Sequence, residues 1–244
     1  MKTYTNLTVA VLSPLDISSP EFGVAFFELL ESNPLVVPTQ IGNAEPISEL
    51  YEGRTKGVLS WSDPVLWKNT NTKVNGSIWF GFGKRHSCIY LHLNPKNCDQ
   101  VLLKRFLLES CKLFKADFGY IHLMTQQEME SSETPYMFSY AIDTGLTTND
   151  LKNGVPNLCW ATVFGPCYEN YRNAIAKLKS IAIVDHDANS DLTYLQLTDN
   201  IKDIISDYAE FNAIRTEAKE MIGNQLFCSA SNPIAGWTPS FQMR

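Results

Sequence analysis

Between Ser77 and Met124 the chain carries two β-rich runs across a short polar gap, then an amphipathic helix, then a third β-rich run. Ser77–Gly83 and Cys88–Leu93 are separated only by Lys84-Arg85-His86-Ser87. Four residues are too few for a crossover connection, so the two runs must pair as an antiparallel hairpin. Asn97-Cys98-Asp99 then caps a helix predicted over Gln100–Lys115, with Val101, Leu102, Phe106, Leu108, Leu113 and Phe114 on its apolar face. Lys104, Arg105, Glu109 and Lys112 fall on the wet side, and Gly119–Met124 returns as a strand. This arrangement selects an α+β class: antiparallel sheet with helices packed on one face.

The remaining pattern extends that plan. Leu7–Leu12 reads as a first strand, stopped by Pro14. Ser19-Pro20-Glu21 opens a helix that runs to Glu31 and ends before Pro34. Pro34 to Asn75 is rich in turn residues, with a short strand expected at Val58–Trp61. Thr125–Thr134 is polar and reads as a short exposed helix or a loop. Beyond the punctuated stretch Gly145–Pro166, a helix is expected at Tyr168–Leu178, strands at Ile181–Val184 and Leu192–Leu197, and a loop over 185–191 between them. Asp199 caps a long helix, Asn200–Ile222, ended by Gly223-Asn224, and Leu226–Ser229 reads as a last strand. The order strand, strand, helix, strand thus occurs twice, although the residues do not align. One domain over 1–244 is expected, with sub-halves 1–144 and 145–244 as the units of a duplication.

Composition then narrows the function. With 44% hydrophobic and 19% charged residues the chain has the makings of a full core, and disorder is not expected. The net charge of −6 argues against a surface for nucleic acid, which needs clustered Lys and Arg. No run approaches the roughly 18 apolar residues of a membrane span. The first residues lack a basic segment leading into an apolar one, so a cytoplasmic location is expected. The six cysteines show no two-residue gap of the kind zinc knuckles and redox sites use, and free thiols are expected.

Candidate chemistry is thin. There is no Gly-x-Ser-x-Gly elbow, and Phe80-Gly81-Phe82-Gly83-Lys84 lacks the spacing of a phosphate loop. His92 and His122 fall on strands, where a hydrogen-bonded structural role is expected. Asp185-His186-Asp187 with Asp191 is the best acid–base or metal-like cluster, although Asp and Asn are also what a hairpin loop uses. Catalytic residues, metal and cofactor are all expected to be absent. The alternative is a small hydrolase or transferase using the 185–191 loop.

One segment is distinctive: Leu158-x-Trp160-x-x-x-Phe164-Gly165-Pro166-x-Tyr168. By itself it describes a strand–turn–helix corner, with Gly165 supplying an unusual backbone angle and Pro166 fixing the helix entry. The pattern also resembles that of immunity proteins from bacterial polymorphic-toxin systems, most closely immunity protein family 52. The resemblance continues through Leu195-x-Leu197-Thr198 to Phe227, and covers the first half only by general layout. It implies a cytosolic antitoxin of the kind found in type VI secretion and related competition systems. Such a protein binds and occludes a cognate toxin, typically a basic nuclease domain, and carries no catalytic residues of its own. An acidic chain suits such a partner. The carboxylates expected to meet it are Glu128, Glu130 and Glu133 in the polar stretch, and Asp185, Asp187 and Asp191 in the loop.

Overall fold

The computed structural model describes residues 5–131, 136–229 and 231–243. Thr5–Ser13 forms β1, and Pro20–Glu31 forms α1, with Pro20 in the first turn where its missing N–H costs nothing. The turn-rich region that follows is more ordered than its sequence predicts. It forms β2 (Gln40–Gly42), β3 (Glu49–Leu50), α2 (Arg54–Leu59) and β4 (Val65–Asn69). The strand expected at Val58–Trp61 is instead the end of α2 and the turn after it. Packing decides this: Gly57 lets α2 sit directly on the Phe27 ring of α1, where a Cβ would come within 2.9 Å of ring carbons. Trp61 then folds back, its indole N–H donating to the Ile17 carbonyl at 3.0 Å.

The expected hairpin is present as β5 (Val74–Trp79) and β6 (Ser87–Leu93). The helix α3 (Gln100–Leu113) starts where Asp99 accepts the N–H groups of Val101 and Leu102, at 3.0 and 3.1 Å. β7 (Phe118–Thr125) follows, then α4 (Gln126–Glu130), α5 (Tyr136–Thr144), α6 (Thr148–Leu151) and β8 (Ala161–Phe164). The chain continues with α7 (Arg172–Lys177), β9 (Ile183–Asp187) and β10 (Leu192–Gln196). The long helix expected after Asp199 is divided into α8 (Asp203–Ser206) and α9 (Tyr208–Ile222). Asp207 leaves helical geometry at φ −147°, ψ 63°, and its side chain caps α9. The strand expected at Leu226–Ser229 is a tight turn at Asn224–Leu226 with one isolated parallel bridge, Val155 to Phe227.

The ten strands among the described residues join one antiparallel sheet in the order β3-β2-β4-β5-β6-β1-β7-β8-β10-β9. The sheet therefore runs unbroken from residues of the first half into those of the second through the β7–β8 pair. The α+β class and the antiparallel sheet are as the sequence predicts, but the helices cover both faces rather than one. β7 is buried along its whole length and β1 over most of it, so the centre of the sheet needs cover on both sides. Side chains alternate between faces along a strand. Gly119 of β7 faces α3, where a Cβ would come within 2.7 Å of the Cys111 sulfur and 3.1 Å of Leu107. Its neighbour Tyr120 points the other way and donates to the Ile142 carbonyl of α5 at 2.8 Å, while Thr8 of β1 donates to the next carbonyl, of Asp143, at 2.7 Å.

Each face has its own aromatic core. Phe26, Trp61, Trp67 and Phe114 pack under α1, with ring centroids 5.4 to 5.9 Å from Phe26. Phe118, Phe164 and Tyr168 pack on the opposite side, with Trp237 of the C-terminal segment closing over Tyr168. Among the described residues, no helix is long and apolar enough to cross a membrane.

Candidate functional site

Glu128, the first carboxylate of the acidic stretch after β7, does not face solvent. Thr125 ends β7 and caps α4 by accepting the N–H of Glu128 at 3.2 Å, which turns the Glu128 side chain inward. Glu128 is only 3% exposed, and Arg215 of α9, 2% exposed, donates to both its oxygens at 2.8 and 3.0 Å. His122 of β7 approaches from the sheet, with Nε2 3.7 Å from the same carboxylate. The His122 ring is oriented by the Trp160 amide, which donates to Nδ1 at 3.2 Å. Asn212 and Tyr208 take up the remaining guanidinium donors. Burial alone would raise the Glu128 carboxyl's pKa, but Arg215 and then His122 outweigh it and hold the group down at about 2. A contact role for Glu128 is therefore corrected: it is an internal tie between β7, α4 and α9. Glu130 is exposed and accepts from Gln126, and Glu133 lies outside the described residues.

The second predicted group divides in a different way. Asp185 and Asp187 lie on β9 itself, not in a loop, and only 188–191 form the turn. Alternation puts Asp185 and Asp187 on one face and His186 on the other. Asp187 meets Lys112 of α3 at 2.7 Å and accepts the Asn189 N–H at 3.0 Å; both hold its carboxyl down at about 2. Asp191 is bonded by Arg172, and the His186 ring meets Thr193 across the hairpin at 3.2 Å. Asp185 is exposed and accepts only the N–H of His186. Of the cluster that the sequence brings together, His186 and Asp191 stay within 3.9 Å, while Asp187 and Asp191 take their cations from α3 and α7. Among the described residues no three His, Cys, Asp or Glu side chains converge as a metal ligand set would.

A third constellation has no counterpart in the sequence reading. His86 is buried with Nε2 3.1 Å from the Asp117 carboxylate and Nδ1 2.9 Å from the Thr148 hydroxyl. The His86 amide donates to the same hydroxyl at 2.7 Å, and Phe241 of the C-terminal segment covers the ring edge-on, 4.5 Å between centroids. A cavity of about 710 Å³ opens beside Asp117, lined by Lys115, Cys167, Asn170 and Trp237 among others. Both ring nitrogens of His86 are occupied, so neither is left to activate Cys167, whose thiol burial pushes far up. The group ties β6, β7 and α6 together. The other cysteines are unpaired as well, and burial raises the thiols of Cys88 and Cys98 to about 11.

The Trp160 segment is core, as its composition predicts. Leu158, Trp160, Phe164 and Tyr168 are all 1% exposed or less, and the Trp160 indole N–H donates to the Thr198 carbonyl at 3.0 Å. Gly165 has an ordinary extended backbone, φ −86° and ψ −173°, so the unusual angle expected there is not the reason for a glycine. Close approach is: a Cβ would lie 2.2 Å from the Ala116 carbonyl oxygen.

No protein-family model matches the sequence, and no curated protein is significantly similar to it. Among solved structures, the fold is similar to that of Pseudomonas aeruginosa T6SS protein PA0821. The TM-score is 0.54 at 9% sequence identity, over 93% of this chain and 79% of the other. At that identity the likeness is one of fold.

Proposed function

We propose that this chain is a T6SS-associated immunity protein, which neutralises a cognate toxin by binding it directly. The observation that carries the reading is the fold likeness to a T6SS protein along nearly the whole chain. The pattern from Leu158 to Tyr168 supports it independently, through its resemblance to polymorphic-toxin immunity proteins. The acidic charge of −6 suits a basic toxin such as a nuclease, because complementary potentials speed encounter and reject wrong partners. In this reading the Leu158–Tyr168 corner acts by holding the sheet together, and the contact surface lies elsewhere.

The test is co-expression with the protein encoded directly beside the gene. Survival of cells that otherwise die, together with a stable 1:1 complex on purification, is the expected result. A harmless neighbour, or a lethal one that is neither rescued nor bound, would overturn the proposal.

A further inference from the structure

The two ends of the sheet are unequal. β3 at one end has only two residues, and its Glu49 is held by Lys56 of α2. β9 at the other end has five residues and pairs on one side only, with β10. An edge strand leaves a row of backbone N–H and C=O groups facing outward, ready to receive another strand.

At the start of β9 a groove of about 630 Å³ continues the edge between the sheet and α8–α9. Ile183, Phe211 and Ile214 are among its apolar lining, and Asp199, Asp203 and Glu210 stand along its rim. Ile183 is 39% exposed. The described ion pairs of the molecule include none made by these three carboxylates, nor by Asp185 on β9. Elsewhere on the same hairpin Lys112 and Arg172 neutralise Asp187 and Asp191. Four carboxylates without a described ion pair therefore stand together along this edge and groove.

We infer that this edge and groove receive an extended, lysine- or arginine-bearing segment of the partner, added as an eleventh strand beside β9. Main-chain hydrogen bonds supply the pairing; Ile183 and Asp185 share one face of β9, so on that face of the segment an apolar residue meets Ile183 and a cation two residues away meets Asp185, while further cations meet Asp199, Asp203 and Glu210. The same charges disfavour a second copy of this chain, because self-pairing would bring the two acidic edges together. The inference rests on the immunity reading for the identity of the partner, though not for the chemistry of the segment.

The experiment compares the native chain with D199N/D203N/E210Q; Asp207 is left alone because it caps α9. Binding to the product of the adjacent gene is titrated, and amide hydrogen exchange is followed at the outward-facing amides of 183–187, those not bonded to β10. The expected result is protection of those amides in the complex and affinity weakened roughly tenfold or more in the variant. A complex that leaves 183–187 exchanging freely and binds the variant equally well overturns the surface while leaving the immunity reading intact. If the neighbour does not bind, the immunity reading fails and a blocked extended peptide carrying lysine and valine two residues apart, on one face, decides the surface. Protection of 183–187 by that peptide, and not by its glutamate–valine counterpart, sustains the inference; protection by neither or by both overturns it. Protection of 183–187 in the isolated protein together with a dimer in sedimentation assigns the edge to a second copy, and also overturns it.

Discussion

Two pairs of opposite charges make an instructive contrast: Glu128 with Arg215 in the interior, and Asp187 with Lys112 at the surface. Both couple elements distant in sequence, at 2.8 and 2.7 Å, and both hold a carboxyl at about 2. By distance and pKa alone they look equivalent. Their surroundings make them different. Glu128 and Arg215 are sealed from water, and the carboxylate depends on the guanidinium to remain charged; the Lys112 side chain is half-exposed and can return to solvent. The lesson is that a lowered pKa does not by itself identify a structural joint or a binding group. What decides is what replaces the partner when it is removed.

The sharpest way to break the comparison is Arg215→Ala. It removes the principal counter-charge of a buried carboxylate, and a loss of about 3–5 kcal/mol is expected, measured as the shift in the denaturant midpoint. The double variant Glu128→Leu with Arg215→Leu should recover part of that loss, since no orphaned charge remains. A double variant no more stable than Arg215→Ala would mean that His122, Tyr208 and Asn212 need the ions for their own placement.

This joint also marks where sequence reading stopped. α1, α3 and the central strands were legible because caps, periodicity and proline all act within a few residues. β2, β3 and β4 were not, because short strands in turn-rich sequence form only when neighbours supply the pairing. α5 is not legible either: its buried Phe138 and Ile142 have helical spacing, but the helix has only nine residues and directly follows a polar stretch. For the candidate site, a run of glutamates reads as solvated unless something requires one of them inside. That requirement is present 87 residues away. Phe211, Arg215, Ala218 and Ile222 share one buried stripe of α9, and an arginine on an apolar stripe demands a carboxylate. Thr125-x-x-Glu128 is the matching cap spacing. Reading the two together would have placed Glu128 in the core. Asp187 and Asp191 gave no such signal, because their cations lie on α3 and α7, and only the tertiary fold brings those helices to the hairpin.

A smaller effect sharpens the contrast through pH. The Glu128 carboxyl lies at about 2 in the folded protein against an ordinary 4.5, so the unfolded chain binds its proton first as pH falls. Its stabilisation is complete above pH 4.5 and is lost on acidification from there toward 2, with a total on the order of 3 kcal/mol. Glu128→Gln should therefore lower stability at pH 7 and flatten the stability–pH curve within that window. Other lowered carboxyls, Asp187 and Glu31 among them, keep a residual slope. A curve as steep as that of the native chain would show that Glu128 does not carry the acid transition.

The smallest effect expected is at the surface pair. Lys112→Ala frees Asp187, which then accepts from water and still keeps the Asn189 N–H. Water replaces the lost cation at little cost, so the melting temperature should barely move, and adding salt should reduce even that difference. What changes instead is the field at the hairpin, where one more unneutralised carboxylate joins Asp185. If β9 receives a basic strand, Lys112→Ala should leave stability almost untouched and speed association with that partner at low salt, an effect read from stopped-flow rates. Faster association that vanishes at high salt would separate the surface pair from the buried one by function as well as by burial. A large drop in melting temperature would instead make the hairpin, like Glu128 and Arg215, a joint of the fold.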